Sequence, residues 1–252
     1  MDRPTVLTIA GSDSGGGAGI QADLKTIEAG GGFGTSAITS VTAQNTTGVQ
    51  GQHLLPTEEI EAQIEAVVED FDVAAVKTGM LATSDVVELV TERVRETDAP
   101  AVVDPVMVAA SGDRLLAREA ESAYEDLVAE ATLVTPNADE AAVLTDVDPG
   151  NEAEARAAGE RIVEMGADAA LVKGGHITGA GEGAGDGEGA DDGGGEGEPG
   201  EDAGEPGEVE DESDDVVDVL VTADSVETFR HPRVDTAATH GSGCTLSSAI
   251  AT

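Results

Sequence analysis

Short apolar runs alternate with amphipathic segments along most of the 252-residue chain. Residues 6–10 form an apolar run bounded by glycine, which predicts a buried strand. Residues 57–71 carry Ile and Val at helical spacing and predict a helix, with Thr57 as its N-cap. The other predicted strands span residues 36–43, 73–77, 101–104, 133–135, 169–173, 216–222 and 226–230.

The segments between these strands have helical periodicity. A helix is predicted to begin near Ile20, Ser84 is predicted to cap another, and residues 152–165 predict a third. Repeated strand–helix units imply an α/β fold with a mainly parallel central sheet and helices on both faces. The last two strands are expected to form an antiparallel hairpin.

Glycine-rich or polar residues follow the predicted strands. Residues 11–19 form a glycine-rich loop after the first strand. Ligands of open parallel sheets bind outside the carboxyl ends of the strands. We therefore expect one site to gather the residues at these ends, namely the loop 11–19, Gln44, Met80, Asp104, Asn137 and Lys173.

The formal net charge of −40 indicates a strongly acidic surface. Nucleic acids and anionic membranes bind basic protein faces, so both are excluded as partners. Acidity on this scale keeps a protein hydrated in concentrated salt and predicts a halophilic source. Each of the three lysines lies in or beside a segment with functional features, and we expect these cations to have functional roles: Lys25, Lys77 and Lys173.

Length and composition predict one large domain over residues 1–252. Aromatic residues make up 2% of the chain, so the core must consist of Val, Ala, Leu and Ile. A single cysteine permits no internal disulfide, and the sequence has neither an apolar run of about 20 residues nor a signal-peptide pattern, so we expect a cytoplasmic protein.

Residues 179–215 are rich in Gly, Glu and Asp and lack Lys, Arg and aromatic residues. They predict a disordered acidic insertion, with a partner-binding acidic segment as the alternative.

Residues 240–245 have the sequence His-Gly-Ser-Gly-Cys-Thr and precede an apolar run that predicts a helix. Gly241, Ser242 and Gly243 let successive backbone N–H groups converge, and the helix dipole favours an anion there. Cys244 lies in the same anion cradle (residues 241–244), whose positive field is expected to favour its thiolate. A phosphate site with a nucleophilic or basic side chain indicates phosphoryl transfer. The alternative is a helix start of small residues with a buried cysteine.

Several polar residues elsewhere in the chain can be interpreted either as structural or as functional residues. Asn137 and Glu140 have the spacing of a helix capping box. Lys173 precedes two glycines and is predicted to reach either a phosphate or one of the many acidic side chains. His176 and His240 are predicted to be structural or loop residues rather than catalytic bases.

Motifs of one family occur in order along the chain, at residues 8–13 (TIAGSD), 15–25 (GGGAGIQADLK), 43–46 (AQNT), 77–81 (KTGML), 104–107 (DPVM), 135–137 (TPN), 173–176 (KGGH) and 239–247 (THGSGCTLS). In these segments the chain resembles the hydroxymethylpyrimidine/phosphomethylpyrimidine kinases of thiamine biosynthesis, within the ribokinase-like superfamily. The resemblance implies ATP-dependent phosphorylation of 4-amino-5-hydroxymethyl-2-methylpyrimidine (hydroxymethylpyrimidine) and then of its monophosphate to the diphosphate. It also implies a homodimer.

The resemblance assigns roles to individual residues. It makes Cys244 the base and surrounds the transferred phosphoryl group with the N–H groups of Gly241, Ser242, Gly243 and Cys244. It implies that Mg²⁺ is bound through Asp104 and Glu140, and that ATP is bound through Asn137, Lys173 and Thr245. It places the pyrimidine against Gly11, Ala18, Asp23, Gln44 and Met80, and against Val106 or Val108.

Two alternatives to this function stay open from the sequence. One is a related vitamin kinase that acts on pyridoxine-type alcohols, because these share the ring and hydroxymethyl group. The other is a pyrimidine-binding protein without catalytic activity, because the chain ends about two turns into the helix after the cradle, earlier than the family does, and we expect a truncated C-terminus.

Overall fold

A computed structural model describes residues 3–107, 122–174, 215–234, 236 and 240–252. The strands in these residues are β1 (Thr5–Asp13), β2 (Phe33–Asn45), β3 (Gly48–Leu54), β4 (Val73–Thr78), β5 (Ala101–Val103), β6 (Leu133–Val134), β7 (Ala169–Val172), β8 (Asp215–Thr222) and β9 (Val226–Pro232). The helices are α1 (Gly19–Gly30), α2 (Thr57–Val68), α3 (Ser84–Arg95), α4 (Ala123–Ala129), α5 (Ala138–Thr145), α6 (Glu152–Glu164) and α7 (Ser242–Ile250).

The strands form one sheet in the order β3-β2-β1-β4-β5-β6-β7-β8-β9. The six central strands β2, β1, β4, β5, β6 and β7 are parallel to one another. Antiparallel pairing occurs at the two sides of the sheet, between β2 and β3 and in the β7–β8–β9 meander. This arrangement confirms the predicted α/β fold, its mainly parallel sheet and the terminal hairpin.

Both faces of the sheet are buried. Leu7 and Ile9 of β1 belong to the largest cluster of buried apolar side chains, whereas Val6 packs in a separate cluster with Ile27 of α1. Successive side chains of a strand point to opposite faces, so each face of β1 contributes to a different core layer. A continuous apolar run is therefore required in β1, and this is the pattern that the sequence has.

The ends of two helices differ from the sequence predictions. Thr57 is the first residue of α2 and does not cap it, because the preceding Pro56 is the extended residue at the N-cap. Thr83 caps α3 in place of Ser84: its backbone is extended, and its side chain accepts a hydrogen bond from the Val86 N–H at 3.4 Å. An N-cap residue needs non-helical backbone angles, which Ser84, inside the helix, does not have.

Strand β3 has no counterpart among the predictions. Most of its residues are exposed, and it pairs only with β2 at the edge of the sheet. Its sequence therefore lacks the apolar run or alternation that marks a buried strand.

The predicted insertion lies outside the described residues except at Asp215, and Val108 and His176 lie outside them entirely. Among the described helices, none is long and apolar enough to cross a membrane.

The charge of the chain leads to a first testable prediction. A net charge of −40 makes the folded state repel itself, and salt screens this repulsion because the Debye length shortens from about 10 Å at 0.1 M to about 3 Å at 1 M. We expect the melting temperature to rise by roughly 10 °C between about 0.2 M and about 2 M KCl. Thermal unfolding followed by circular dichroism measures this, and a melting temperature that does not change with KCl would contradict it.

Candidate active site

The glycine-rich loop after β1 is organised by the carboxylate of Asp13. Its two oxygens accept hydrogen bonds from the N–H groups of Gly15 at 2.7 Å, Gly17 at 3.0 Å and Ala18 at 2.8 Å. Burial alone would raise the pKa of Asp13, but these backbone hydrogen bonds and a contact with His240 outweigh it and lower the pKa. The carboxylate is therefore ionised at neutral pH and holds the loop in one conformation.

Several residues predicted to contact the pyrimidine lie together beside this loop. Gly11 is buried at the end of β1, and an added Cβ there would overlap the methyl group of Met80. Ala18 is the extended N-cap of α1. The side chain of Gln44 accepts a hydrogen bond from Thr42 at 3.2 Å and is partly exposed. These residues, which combine an apolar Met–Gly contact with a polar amide, are the candidate pyrimidine site (the Gln44–Met80 pocket).

His240 connects this pocket to the start of α7. Its Nε2 lies 3.2 Å from Asp13 Oδ2 and 3.3 Å from Gln44 Nε2. The prediction of His240 as a structural or loop residue did not specify these contacts with two other site residues. The sequence feature that could have indicated these contacts is the position of His240 directly before Gly241.

The helix predicted after residues 240–245 is α7, which begins at Ser242, so residues 241–244 of the proposed anion cradle lie at its N-terminus. Gly241 is the N-cap, with φ 80° and no side-chain capping bond, and its carbonyl accepts the first helical hydrogen bond from Thr245 at 2.9 Å. The first N–H groups of a helix have no acceptor within it, and here they belong to Ser242, Gly243 and Cys244. A Cβ on Gly241 would overlap the carbonyl oxygen of Gly17, so the cradle packs directly on the glycine-rich loop.

The sequence expectation for the Cys244 thiol is wrong for this structure. Burial raises the pKa of Cys244 above its usual value, and this effect outweighs the nearby charge of Lys77. Asp104 and Asp23 raise the pKa further, whereas a hydrogen bond from the Gly19 backbone lowers it. The thiol is therefore protonated at neutral pH, and its thiolate is correspondingly a stronger base.

A buried charged cluster lies beneath the cradle. The Lys77 ammonium group is 3.0 Å from Asp23 Oδ1, and both side chains have 0% exposure. Asp23 also accepts hydrogen bonds from Thr8 at 2.6 Å and Ser248 at 2.8 Å. Because both oxygens of Asp23 are bonded within the protein, this placement offers no free surface for the direct pyrimidine contact that the sequence predicted.

A second charged cluster lies beside the cradle at the ends of β5 and β7. Lys173 Nζ is 3.2 Å from Asp104 Oδ1, and Asp104 also accepts hydrogen bonds from Thr135 and Ser247, each at 3.3 Å. A Cβ on Gly243 would lie 3.0 Å from Lys173 Nζ, so this cation borders the cradle. Of the two predicted partners of Lys173, the acidic one is present.

Asn137 and Glu140 form the predicted capping box at the start of α5. The Asn137 side chain accepts from the Glu140 N–H at 2.8 Å, and the Glu140 carboxylate accepts from the Asn137 N–H at 2.9 Å. Burial, reinforced by the charge of Asp104, raises the pKa of Glu140 to about 7, against the effect of Lys173. Glu140 and Asp104 are therefore two neighbouring buried acids.

The comparisons with known proteins identify the family. The family model of phosphomethylpyrimidine kinases matches residues 13–191 and 204–252. A hydroxymethylpyrimidine/phosphomethylpyrimidine kinase of Streptomyces coelicolor is 46% identical over 249 residues, which are 98% of this chain and 80% of the relative. The chain belongs to the phosphomethylpyrimidine kinase family.

Solved structures agree with this membership. The phosphomethylpyrimidine kinase of Clostridium difficile matches with a TM-score of 0.75 and 37% identity, over 99% of this chain and 89% of that one. A pyridoxal kinase of Bacillus subtilis, solved as an ADP complex, matches with a TM-score of 0.77 and 30% identity, over 99% of this chain and 82% of that one. These matches confirm the predicted ribokinase-like fold.

The remaining predicted residues of this family member surround the two clusters. Val106 lies in the turn after Asp104 and is partly buried, while Ser242 and Thr245 are exposed in the first turn of α7. All three lysines contact groups of the site, since Lys25 donates to the Gly16 carbonyl at 2.7 Å. Val108 lies outside the described residues, so its predicted place in the site stays a prediction.

The raised pKa of Glu140 leads to a prediction about stability. Burial disfavours the charged form of Glu140 in the folded state. The stability that the neutral carboxyl contributes is therefore complete below the pKa of the unfolded state, and it is lost as the pH rises through the pKa of the folded state at about 7. Glu140→Gln stays neutral and keeps an acceptor for the Asn137 N–H. We expect it to raise the free energy of unfolding of the ligand-free protein by about 2 kcal/mol at about pH 8, and not at about pH 4.

Denaturant unfolding without divalent cations measures this difference. Glu160→Gln, which removes only an exposed ion pair with Arg156, is the matched control and is expected to behave alike at both pH values. If Glu140→Gln and the control shifted the unfolding free energy equally at both pH values, the prediction would be wrong.

Proposed function

We propose that this chain phosphorylates the hydroxymethyl group of hydroxymethylpyrimidine with ATP, and then phosphorylates the monophosphate to the diphosphate. One observation carries the proposal: Gly241 of the anion cradle packs on the carbonyl of Gly17, and Gln44 is bonded through its backbone N–H to Ser14 of the same glycine-rich loop. An alcohol attached to a ring in the pocket then lies next to a phosphoryl group in the cradle. Membership of the kinase family supports the same reaction.

The pocket suits an aminopyrimidine. Such a ring has nitrogen acceptors and an exocyclic amino donor, and the amide of Gln44 can pair with one of each. The thioether of Met80, held against Gly11, is suited to the apolar face of the ring. Thr42 donates a hydrogen bond to the Gln44 amide oxygen and restrains it, so less side-chain entropy is lost when the ring binds.

In the first transfer, the thiolate of Cys244, which is the minor form of this thiol at neutral pH, accepts the proton of the hydroxymethyl group. The alcohol oxygen forms a bond to the γ-phosphorus, and the bond between that phosphorus and the ADP oxygen breaks. The N–H groups of Ser242, Gly243 and Cys244 bind the phosphoryl oxygens while charge redistributes. Lys173, which borders Gly243, adds a positive charge at the same place.

The second transfer needs no base. The attacking atom is a phosphate oxygen that is already anionic, so no proton has to leave before the bond forms. The backbone N–H groups and Lys173 are then the residues that matter, because phosphoryl transfer depends mainly on positioning and on neutralising charge. One cradle can therefore transfer the phosphoryl group to two acceptors, of which only the alcohol needs Cys244 as a base.

Asp104 and Glu140 fit the needs of Mg²⁺, which neutralises phosphate charge when it is bound. Mg²⁺ usually binds through one or two carboxylates together with water and phosphate oxygens. Here the two buried acids are neighbours, and the hydroxyl of Tyr124, buried near both, has no hydrogen-bond partner among the described residues, as expected beside an ordered water. The described residues contain no group of three or more His, Cys, Asp or Glu side chains that would bind a metal without phosphate.

The substrate is tested by comparing two alcohols. ATP-dependent phosphorylation in molar KCl with Mg²⁺ is measured for hydroxymethylpyrimidine and for pyridoxine. We expect kcat/KM to favour the pyrimidine by at least about tenfold, since a site that hydrogen-bonds the exocyclic amino group rejects a ring that lacks it. A preference for pyridoxine would contradict the proposal.

A further inference from the structure

Lys77 is a lysine without exposed surface, which is rare because burying an ammonium group is costly. It lies on β4, and its partner Asp23 lies on α1 with no exposed surface either. A buried ion pair is often no more stabilising than an apolar pair of the same size. Stability alone therefore does not explain why this pair lies under the site.

The ion pair is connected to the helix that carries the cysteine. Ser248 of α7 donates a hydrogen bond to Asp23 Oδ1, the same oxygen that binds Lys77. Cys244 lies four residues before Ser248, and residues with this spacing share one face of a helix. The face of α7 that carries the sulfur is therefore the face that contacts the Lys77–Asp23 pair.

A second contact places the sulfur near the same ion pair. The start of α1 packs on the cradle, because a Cβ on Gly241 would lie 3.2 Å from the Cα of Ala18, which directly precedes Gly19, the first residue of α1. Asp23 lies four residues further along α1, on the same face. The sulfur is thus bordered by the start of α1 and by the buried pair.

We propose that Lys77 is a positioning residue whose ammonium group, oriented by Asp23, stabilises the thiolate of Cys244 beneath the anion cradle. This inference rests on the proposed function, in which Cys244 is the base of the first transfer. A charge in the protein interior acts on its neighbour far more strongly than at the surface, because little water screens it. Without Lys77 the thiolate would be too unfavourable to form at the pH at which the enzyme works.

The charges around Cys244 come from several elements. Lys77 is the nearby charge that most favours the thiolate, whereas Asp104 after β5 and Asp23 on α1 oppose it. Lys173 after β7 also interacts favourably with the thiolate, on the other side of the cradle. Removing Lys77 should therefore raise the pKa of the Cys244 thiol, and removing Asp23 should lower it. The loss of a purely structural ion pair would not change the pKa in opposite directions.

The test is a titration of the thiol in the ligand-free protein. Cys244 is the only cysteine, the chain has no tryptophan, and burial raises the pKa of its single tyrosine, Tyr124. The ultraviolet absorbance of the thiolate can therefore be followed against pH without interference. The variants are Lys77→Met and Asp23→Asn, with Arg156→Met on the exposed face of α6 as the control.

We expect Lys77→Met to move the titration upward by about one pH unit or more, so that the fraction of thiolate at a given pH falls roughly tenfold. Asp23→Asn should move it downward, and Arg156→Met should leave it unchanged. If Lys77→Met left the titration where it was, or moved it in the same direction as Asp23→Asn, the proposal would be overturned.

Folding is checked by circular dichroism. Should Lys77→Met not fold because Asp23 is left unpaired, the double variant Asp23→Asn/Lys77→Met takes its place, since it buries no unpaired charge. Its thiol must then titrate at a higher pH than that of Asp23→Asn alone. The titration involves no substrate, so it stays informative even if the chain proves not to phosphorylate hydroxymethylpyrimidine.

Discussion

Replacing Cys244 with alanine is expected to slow the first phosphorylation by about 10²- to 10⁴-fold, the usual contribution of a general base. The second phosphorylation should change by no more than about threefold, because its attacking oxygen is already anionic. Separate assays with hydroxymethylpyrimidine and with its monophosphate measure the two rates. The backbone N–H groups of the cradle remain in the variant, so only proton transfer is removed.

The pH dependence gives a control for this interpretation. Burial raises the pKa of the Cys244 thiol, so the rate of the first transfer in the natural sequence should increase with pH through the usual thiol range and beyond it. The alanine variant should lose this dependence, and the second transfer should not show it. Equal loss of both transfers in Cys244→Ala, in a protein that still folds, would contradict the division of roles.

Gly241→Ala is expected to reduce both transfers by 10²-fold or more, about the effect of losing one donor to developing charge. Gly241 has φ 80°, a conformation that alanine disfavours, and its added Cβ would overlap the Gly17 carbonyl oxygen. The cradle and the glycine-rich loop must then move apart, so the donors no longer point at the phosphoryl group. Steady-state rates for the two acceptors measure the loss.

A matched variant separates this effect from simple backbone strain. Gly31, at the end of α1, has φ 96°, and no atom lies within 4 Å of an added Cβ. Gly31→Ala therefore introduces comparable strain without any overlap and far from the cradle. We expect it to lower the melting temperature by a few degrees and to leave both transfers intact. Equal activity loss in the two variants would show that strain, rather than cradle geometry, explains Gly241→Ala.

Much of the fold could be predicted because buried strands and amphipathic helices impose strict periodicity. β1 is buried on both faces and therefore needs a continuous apolar run, and α3 buries a stripe of valines at helical spacing. β3 could not be predicted because an exposed edge strand imposes no such pattern. The choice between Thr83 and Ser84 as a cap depends on backbone angles, which two adjacent hydroxyl residues do not reveal.

The site could be located from the sequence because the ends of parallel strands meet at one edge of the sheet. The pairings inside it could not, since they join residues far apart in the chain. Lys77 meets Asp23 across 54 positions, and His240 meets Asp13 across 227. The thiol pKa was mispredicted for the same reason: the helix start was visible in the sequence, but the burial of the sulfur depends on the packing of α7 against the core.

The central claim is that one cradle transfers phosphate to two acceptors, an alcohol and a phosphate. The most direct test follows the products of hydroxymethylpyrimidine and ATP over time in molar KCl with Mg²⁺, and separates monophosphate from diphosphate. We predict that monophosphate accumulates first and is then converted to diphosphate by the same chain. A folded protein that binds the pyrimidine and forms neither product, or that stops at the monophosphate, would contradict the claim.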